Sequence, residues 1–374
     1  MYDVVVVGQG LTGLLSAIWL REQGNQVALV SQGTGKILQS TGLMDVAPGM
    51  GEKENSMAKE SSAVAATEKF KSLLNKLGNP YQGQLKKPVP IVTGSGYVKW
   101  TNLYPQTITP IPEKGRVIIV GFQEIADFRP IYVKGNLQKE RPDLQIETMT
   151  VRLGSGSLRT MTQLDAARAL EKEDVRLSVC KQIKREMAEQ QIDVSQLFVF
   201  PASLGVNSWE TVLQDLEESL GAAVTEAPGM PPNATAVRLY EALKKEAVRR
   251  GVRFYIDTQV QGCHVEQKRV KSLTIKTANR ITELSGLNYI IASGGVLGGG
   301  LEVTSSGLKD QVLGLEVDEF GQYTDCPQNV FPAGACQGTN VTRYGITGGV
   351  FSILSSYEVF SIFETLLARG EIHA

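Results

Sequence analysis

The sequence predicts a three-layer α/β fold, a mostly parallel sheet between helices, divided by a second, inserted α/β domain. Three observations predict it. A β-branched run, Tyr2 to Val7, leads into glycines at 8, 10 and 13 and then an apolar helix pattern. Residues 252–295 return to short strand patterns that end on Ser293-Gly294-Gly295. Between these halves, strand and helix patterns alternate from Arg116 to Leu220.

The first element reads as a buried parallel strand, because continuous Val runs suit a strand covered on both faces. Gly8, Gly10 and Gly13 follow as G-x-G-x-x-G, with Leu11 and Thr12 inside the motif. The first glycine permits a tight turn, the second lets backbone approach a pyrophosphate, and the third lets the helix lie against the strand. Leu14, Ala17, Ile18 and Leu20 give that helix an apolar face, Gly24 ends it, and Gln26 to Val30 forms the second strand. This strand–turn–helix–strand context marks a Rossmann-like, phosphate-binding unit. Such units usually place Asp or Glu at the end of the second strand to hold a ribose hydroxyl. Here Ser31-Gln32-Gly33 takes that place.

Residues 52–77 read as a polar linker and an amphipathic helix, and 93–113 as a Pro-punctuated loop. Arg116 to Val120 is a strand, Leu144 to Leu153 another, Asp165 to Ala188 one long helix, Leu197 to Phe200 a strand, and Trp209 to Leu220 a helix. The division expected is 1–112 for the first part of the nucleotide domain, 113–231 for the inserted α/β cap domain, and 232–374 for the second part. Within this last part, a helix runs to about Arg250. Strands follow at Val252 to Asp257, Val260 to Val265, Val270 to Lys276 and Asn288 to Ala292. Another strand reaches Gly334, and an apolar helix runs from Ile346 to Leu367 behind Gly345, Gly348 and Gly349.

Composition excludes several classes. The formal charge of −1 gives no basic field for nucleic acid. The chain has four cysteines, none in a C-x-x-C pair, and only two histidines, His264 and His373. A metal centre or a Ser-His-Asp triad has little to draw on, and no metal is expected. Val4 to Leu20 lacks the positive start of a signal peptide, and the C-terminal helix carries Glu358 and Glu364, too polar for a membrane span. The chain is expected to be cytoplasmic.

The three glycine-rich clusters, in this order, resemble the flavoproteins of the glutathione-reductase-like fold. More specifically, ILQSTGLMDV at 37–46, PIPEKGRVIIVGFQEIADF at 110–128, LFVFPASLG at 197–205, IIASGGVLGGGL at 290–301, VLGLEV at 312–317 and NVFPAGACQG at 329–338 resemble the B subunits of anaerobic glycerol-3-phosphate dehydrogenases. That resemblance implies an oxidoreductase subunit that binds flavin and passes electrons from glycerol 3-phosphate oxidation toward iron–sulfur clusters and the quinone pool. It also implies a larger flavoprotein A subunit and an iron–sulfur C subunit as partners, with the membrane reached only through the complex. Two alternatives stay open: a self-sufficient flavoprotein dehydrogenase or reductase of a small hydroxy acid or amine, and a degenerate flavin-fold scaffold.

The cofactor cues point both ways. The resemblance implies FMN, and FMN lacks the ribose that an acid at position 31 would hold. Ala335-Cys336 after Gly334 likewise stands where an acid would hold the ribitol. A complete three-glycine cradle implies a pyrophosphate, which FAD has. FMN is expected, with FAD the alternative. The expected binding residues are Gly8, Gly10, Leu11, Thr12, Gly13, Ser31, Gln32, Val260, Ala292, Ser293, Gly294, Gly334 and Ala335, with Gly348 and Gly349 at the start of the last helix. Ser40, Thr41 and Gly42 are expected beside the flavin ring. No His or Cys stands in 35–45, so the flavin should be non-covalent. Arg343-Tyr344 is a candidate to face the flavin or a partner. No catalytic residue stands out.

Overall fold

The computed structural model describes residues 1–46, 60–154, 159–193, 195–318, 321–337 and 348–370. Its contacts divide into two compact units. The first holds Met1–Ile37, Met44–Gly78 and Tyr240–Ala374, and the second Leu38–Leu43 and Asn79–Leu239. Residues 38–43, 79–112 and 232–239, which the sequence division leaves with the nucleotide domain, thus fall in the second unit.

The first unit opens with β1 (Tyr2–Val7), α1 (Leu11–Glu22), β2 (Val27–Val30) and α2 (Glu60–Lys76). Val4, Val5 and Val6 of β1 are fully buried, as a central parallel strand requires.

The second unit begins with two small antiparallel pairs. β3 (Tyr81–Gly83) pairs with β6 (Leu103–Pro105), and β4 (Val89–Val92) with β5 (Val98–Thr101). The stretch 93–113 therefore holds two short strands where a loop was expected. A parallel α/β run follows: β7 (Gly115–Phe122), α3 (Pro130–Glu140), β8 (Leu144–Val151), α4 (Gln163–Leu170), α5 (Glu173–Glu189), β9 (Leu197–Pro201), α6 (Trp209–Leu220) and β10 (Ala223–Ala227). Its four strands lie in the order β10-β9-β7-β8, all pairs parallel. Pro130 opens α3, where its missing N–H costs nothing. Thr162 and Asp165 form a capping box on α4. The single helix expected over 165–188 is two helices. At the break, the Glu171 carboxylate accepts the backbone N–H groups of Val206, Asn207 and Ser208.

Helix α7 (Ala234–Arg249) contains the boundary between the units, at Leu239–Tyr240. The first unit resumes with β11 (Arg253–Tyr255), β12 (Thr258–Glu266), β13 (Arg269–Thr277), β14 (Arg280–Ile291), β15 (Leu301–Thr304), β16 (Gly307–Asp310), β17 (Glu316–Val317), β18 (Val330–Pro332) and α8 (Gly348–Ala368). The main sheet has the order β11-β2-β1-β14-β13-β12, with β18 also paired to β14. β11, β2, β1, β14 and β18 run parallel, while β14, β13 and β12 form an antiparallel ribbon. β14 serves both parts: residues 280–285 pair with β13, and Gly286 to Ile291 pair with β1. By length and composition α8 could cross a membrane, contrary to the expectation that its two glutamates make it too polar. Here it is a core helix: Trp19 of α1 stacks edge-on against Tyr357 and Phe360, and the Lys69 ammonium of α2 lies 4.0 Å over the Phe360 ring.

Candidate nucleotide site

The carboxyl ends of β1, β2, β14 and β18 meet around the glycine loop. The Gly8 N–H donates to the Val30 carbonyl at 2.7 Å, and the Ala292 N–H to the Val7 carbonyl at 2.9 Å. Gly8 has φ +107, and a β-carbon there would overlap the carbonyl oxygen of Ala292. Both its conformation and its packing demand glycine. Gly10 differs. Its backbone is extended (φ −71, ψ −173), and a β-carbon would meet nothing within 4 Å. Neither conformation nor internal packing accounts for a glycine here. What a side chain would fill is open space at the start of α1, where a ligand's phosphate needs room to approach backbone.

That helix start is fitted for an anion. No side chain caps it, and its first turn carries no acid. The first amides of a helix lack intrahelical partners, and the helix dipole makes that end partly positive. The loop after β2 runs close by: a β-carbon on Gly35 would stand 2.9 Å from the Gly10 Cα. Gln9 steadies both, donating to the Gly33 carbonyl at 3.1 Å while accepting from the Tyr240 hydroxyl at 3.4 Å.

Two hydroxyls flank this cradle. Ser31 is buried and its backbone is spent on Tyr255 and Thr258, at 3.0 and 2.9 Å. Among the described residues, neither the Ser31 Oγ nor the buried Ser293 Oγ has a hydrogen-bond partner. Buried hydroxyls are normally paired, so two orphans beside one glycine loop mark groups that a ligand would satisfy. Gln32 next to Ser31 is exposed.

The last cluster closes on the same place. A β-carbon on Gly334 would overlap the Thr12 side chain, and one on Gly295 would stand 3.0 Å from the Ala335 carbonyl oxygen. The Ser355 hydroxyl accepts from the Gly334 N–H at 2.9 Å, and the Ser356 hydroxyl donates to the Thr12 carbonyl at 3.1 Å. The structure thus gathers Gly8, Gly10, Leu11, Thr12, Gly13, Ser31, Ala292, Ser293, Gly334 and Ala335, with Gly294 following directly on Ser293. Sequence reasoning missed Gln9, Tyr240, Ser355 and Ser356. For the last two, the serines at 352, 355 and 356 in the first half of the last helix were the available signal.

Other expected residues stand elsewhere. Ser40, Thr41 and Gly42 belong to the second unit, where their carbonyls accept from Asn233 at 3.3 Å, Thr235 at 2.8 Å and Tyr81 at 2.7 Å. A β-carbon on Gly42 would meet Thr235 and the Tyr81 hydroxyl at 3.3 Å, so packing already explains that glycine. Val260, on β12, pairs with Ile275 of β13 and packs against the sheet core. Gly348 and Gly349 open α8, but Arg343-Tyr344, Gly345 and the residues that would cap that helix lie outside the described residues.

Alternative chemistries have little support. His264 is solvent-exposed, 3.4 Å from Glu266. The four cysteines are free thiols. Cys336 is buried, donates to the Ile291 and Ala333 carbonyls at 2.9 and 3.1 Å, and burial pushes its thiol up to about 12. It is a packing thiol, since reactivity follows thiolate character. No group of three His, Cys, Asp or Glu side chains among the described residues could hold a metal.

Comparison with known proteins agrees with this geometry. Residues 3–82 match the family described as FAD binding domain. The chain is similar to proteins named as the B subunit of anaerobic glycerol-3-phosphate dehydrogenase. It is 26% identical to that of Vibrio vulnificus, with 84% of this chain and 78% of that one covered. It is 25% identical to that of Vibrio cholerae (85% and 79%) and 23% identical to that of Actinobacillus succinogenes (86% and 81%). Among solved structures it aligns with 3-ketosteroid delta1-dehydrogenase from Sterolibacterium denitrificans at TM-score 0.33 and 15% identity, covering 79% of this chain and 48% of that one. It aligns with L-proline dehydrogenase from P. horikoshii at TM-score 0.32 and 11% identity, covering 78% and 52%. The chain spans about half the length of those two structures.

Proposed function

We propose, from the match of residues 3–82 to an FAD binding domain and the likeness to B subunits, that this chain is the flavin-holding subunit of a multi-subunit dehydrogenase oxidising glycerol 3-phosphate. The observation that carries the flavin reading is Gly10: a glycine with no internal reason to be one, at an uncapped helix start between two unpaired serine hydroxyls. A bound flavin accepts two electrons and can release them singly, which suits a relay between an organic donor and one-electron acceptors.

We also propose FAD over the FMN expected from sequence. The cradle is complete, and a phosphate bound at the α1 amides would place a nucleotide beside Ser31 at the end of β2. A serine hydroxyl donates and accepts, so it can pair with a ribose hydroxyl where an acid would only accept. Acid release and chromatography of the nucleotide that co-purifies tests this. FAD is expected; FMN would overturn the dinucleotide reading, and a colourless protein that takes up no flavin would overturn the site.

The relay reading places the substrate site in a partner. Among the described residues no histidine base stands in a pocket; His264 lies on an open strand. Isolated chain should give negligible dye reduction with glycerol 3-phosphate, and the assembled complex should restore it. Robust turnover by the chain alone would move the substrate site into this subunit. In this reading the chain is cytoplasmic and meets the membrane only through the complex.

A further inference from the structure

Among the described residues, the aromatic side chains exposed to solvent are Tyr97, Trp100 and Tyr132. All three belong to the second unit, on two elements packed together. The β4–β5 hairpin rides along α3: Asn136 Nδ2 donates to the Ser95 carbonyl at 2.8 Å, and the Val98 N–H donates to Glu140 Oε2 at 2.9 Å. Gly96 lies so close to Val133 that a β-carbon would overlap its carbonyl oxygen. Ile131, also exposed, stands beside Tyr132. An open cavity of about 560 Å³ lies between these elements, with Pro90, Val98 and Ile111 as apolar lining, Trp100 as a wall, and Glu113 and Glu140 as acids.

The polar groups give the cavity a sign. Arg141 also lines it, but its Nη2 is turned onto the carbonyls of Pro112 and Glu113, at 2.6 and 2.9 Å. Glu140 spends one oxygen on Val98. The exposed Glu113 carboxylate and the second oxygen of Glu140 remain beside an indole that is 60% exposed. An aromatic face with carboxylates nearby attracts a cation. The cavity is too open to enclose a small ligand, which pockets usually bury by most of its surface. A protein segment is the better fit, because Trp100 stands exposed at the cavity wall, and Trp and Tyr dominate binding energy at protein interfaces.

We propose that this face docks a partner subunit through a Lys or Arg side chain seated against Trp100 between Glu113 and Glu140. The proposal rests on the reading that the chain works in a complex. The test co-expresses the chain with the larger subunit from its own organism, carrying a photo-crosslinking amino acid in place of Tyr97 or, on the other unit, of the exposed Leu297. The expected result is a cross-link from position 97 to a segment containing Lys or Arg, lost in Glu113→Lys. Trp100→Ala should lower recovery of the partner at least tenfold, with flavin content and melting unchanged. Cross-linking from position 297 alone, capture of a segment with no basic residue, or full recovery in both variants would overturn the docking face and leave the complex reading standing. A wild-type chain that neither cross-links nor co-purifies would overturn both.

Discussion

Gly13 lies so close to Gly8 that a β-carbon on it would overlap the Gly8 carbonyl oxygen, whereas Gly10, between them in the chain, faces open space. The two glycines of the helix start therefore fail differently. Gly13→Ala must push α1 off β1 and should cost about 1–3 kcal/mol of stability, as overpacking does. Gly10→Val should fold and melt close to the flavin-free wild type yet retain no flavin. Thermal melts beside flavin absorbance check both, and a Gly10→Val chain that keeps its flavin removes the phosphate from this loop.

The unpaired hydroxyls make a second prediction. Ser31→Ala and Ser293→Ala remove atoms that have no protein partner among the described residues, so neither should destabilise the flavin-free chain. Each should weaken flavin binding by about 0.5–1.5 kcal/mol, the net worth of one hydrogen bond. Quenching of flavin fluorescence on titration reads this directly. Unchanged affinity in both would mean that the ligand lies elsewhere.

The second unit holds a buried ion pair, Arg238 with Glu226, both almost fully enclosed. Arg238 also donates to the Gly205 carbonyl at 2.6 Å and Thr107 Oγ1 at 2.8 Å, and Glu226 accepts from the Leu204 N–H at 2.7 Å. Arg238→Met strands a buried carboxylate and should cost about 3–5 kcal/mol. Adding Glu226→Leu should recover only part, because the Leu204 N–H and Gly205 carbonyl lose their partners. Urea midpoints of the single and double variants decide; full recovery would mean that the pair stands alone.

Two carboxylates should respond to pH with opposite signs. Burial pushes Glu171 up, but the N–H groups of Ser208, Asn207 and Val206 outweigh it and hold its pKa below the ordinary value. Its contribution is present above the ordinary glutamate pKa and is lost as pH falls through the lowered folded value. Glu171→Gln should lower the urea midpoint at pH 7 and lower it less in acid. Asp310 is raised, chiefly by burial, despite N–H donors from Leu313 and Val312 and the Tyr323 hydroxyl. Its folded form holds a proton that the unfolded chain has released, so stability falls as pH rises through that window. Asp310→Asn should gain on the wild type as pH rises from the ordinary aspartate value through the raised folded one. The reverse order in either variant would contradict these assignments.

How much of this was legible in sequence follows from the range of the forces involved. The β1–Gly–α1 unit could be read because a Val run, spaced glycines and an apolar helix face are local signals. Residues 93–113 looked like loop because β5 and β6 are only four and three residues long and sit among prolines. The break between α4 and α5 was invisible because it is coupled to Glu171 meeting amides more than thirty residues away. β14 was read from Asn288, since its first residues, solvated on a two-sided ribbon, lack the apolar run that betrays a buried strand. At the site, glycines and Ser31 could be named from the motif. Gly42 could not be separated from them, because a glycine that admits Tyr81 and Thr235 looks the same in sequence as one that admits a ligand.

The interruption of the first unit has a consequence for its birth on the ribosome. β1 takes its register from Gly286 to Ile291, so its inner partner does not exist when it emerges. At about 5–20 residues per second, the strand waits roughly 15–60 s. Meanwhile the sheet of the second unit is complete once Ala227 is made. Until β14 is made, β1 has only β2 beside it, and a Val-rich strand with one edge open is a ready template for wrong pairing, so β1 is the segment most in need of shelter during synthesis.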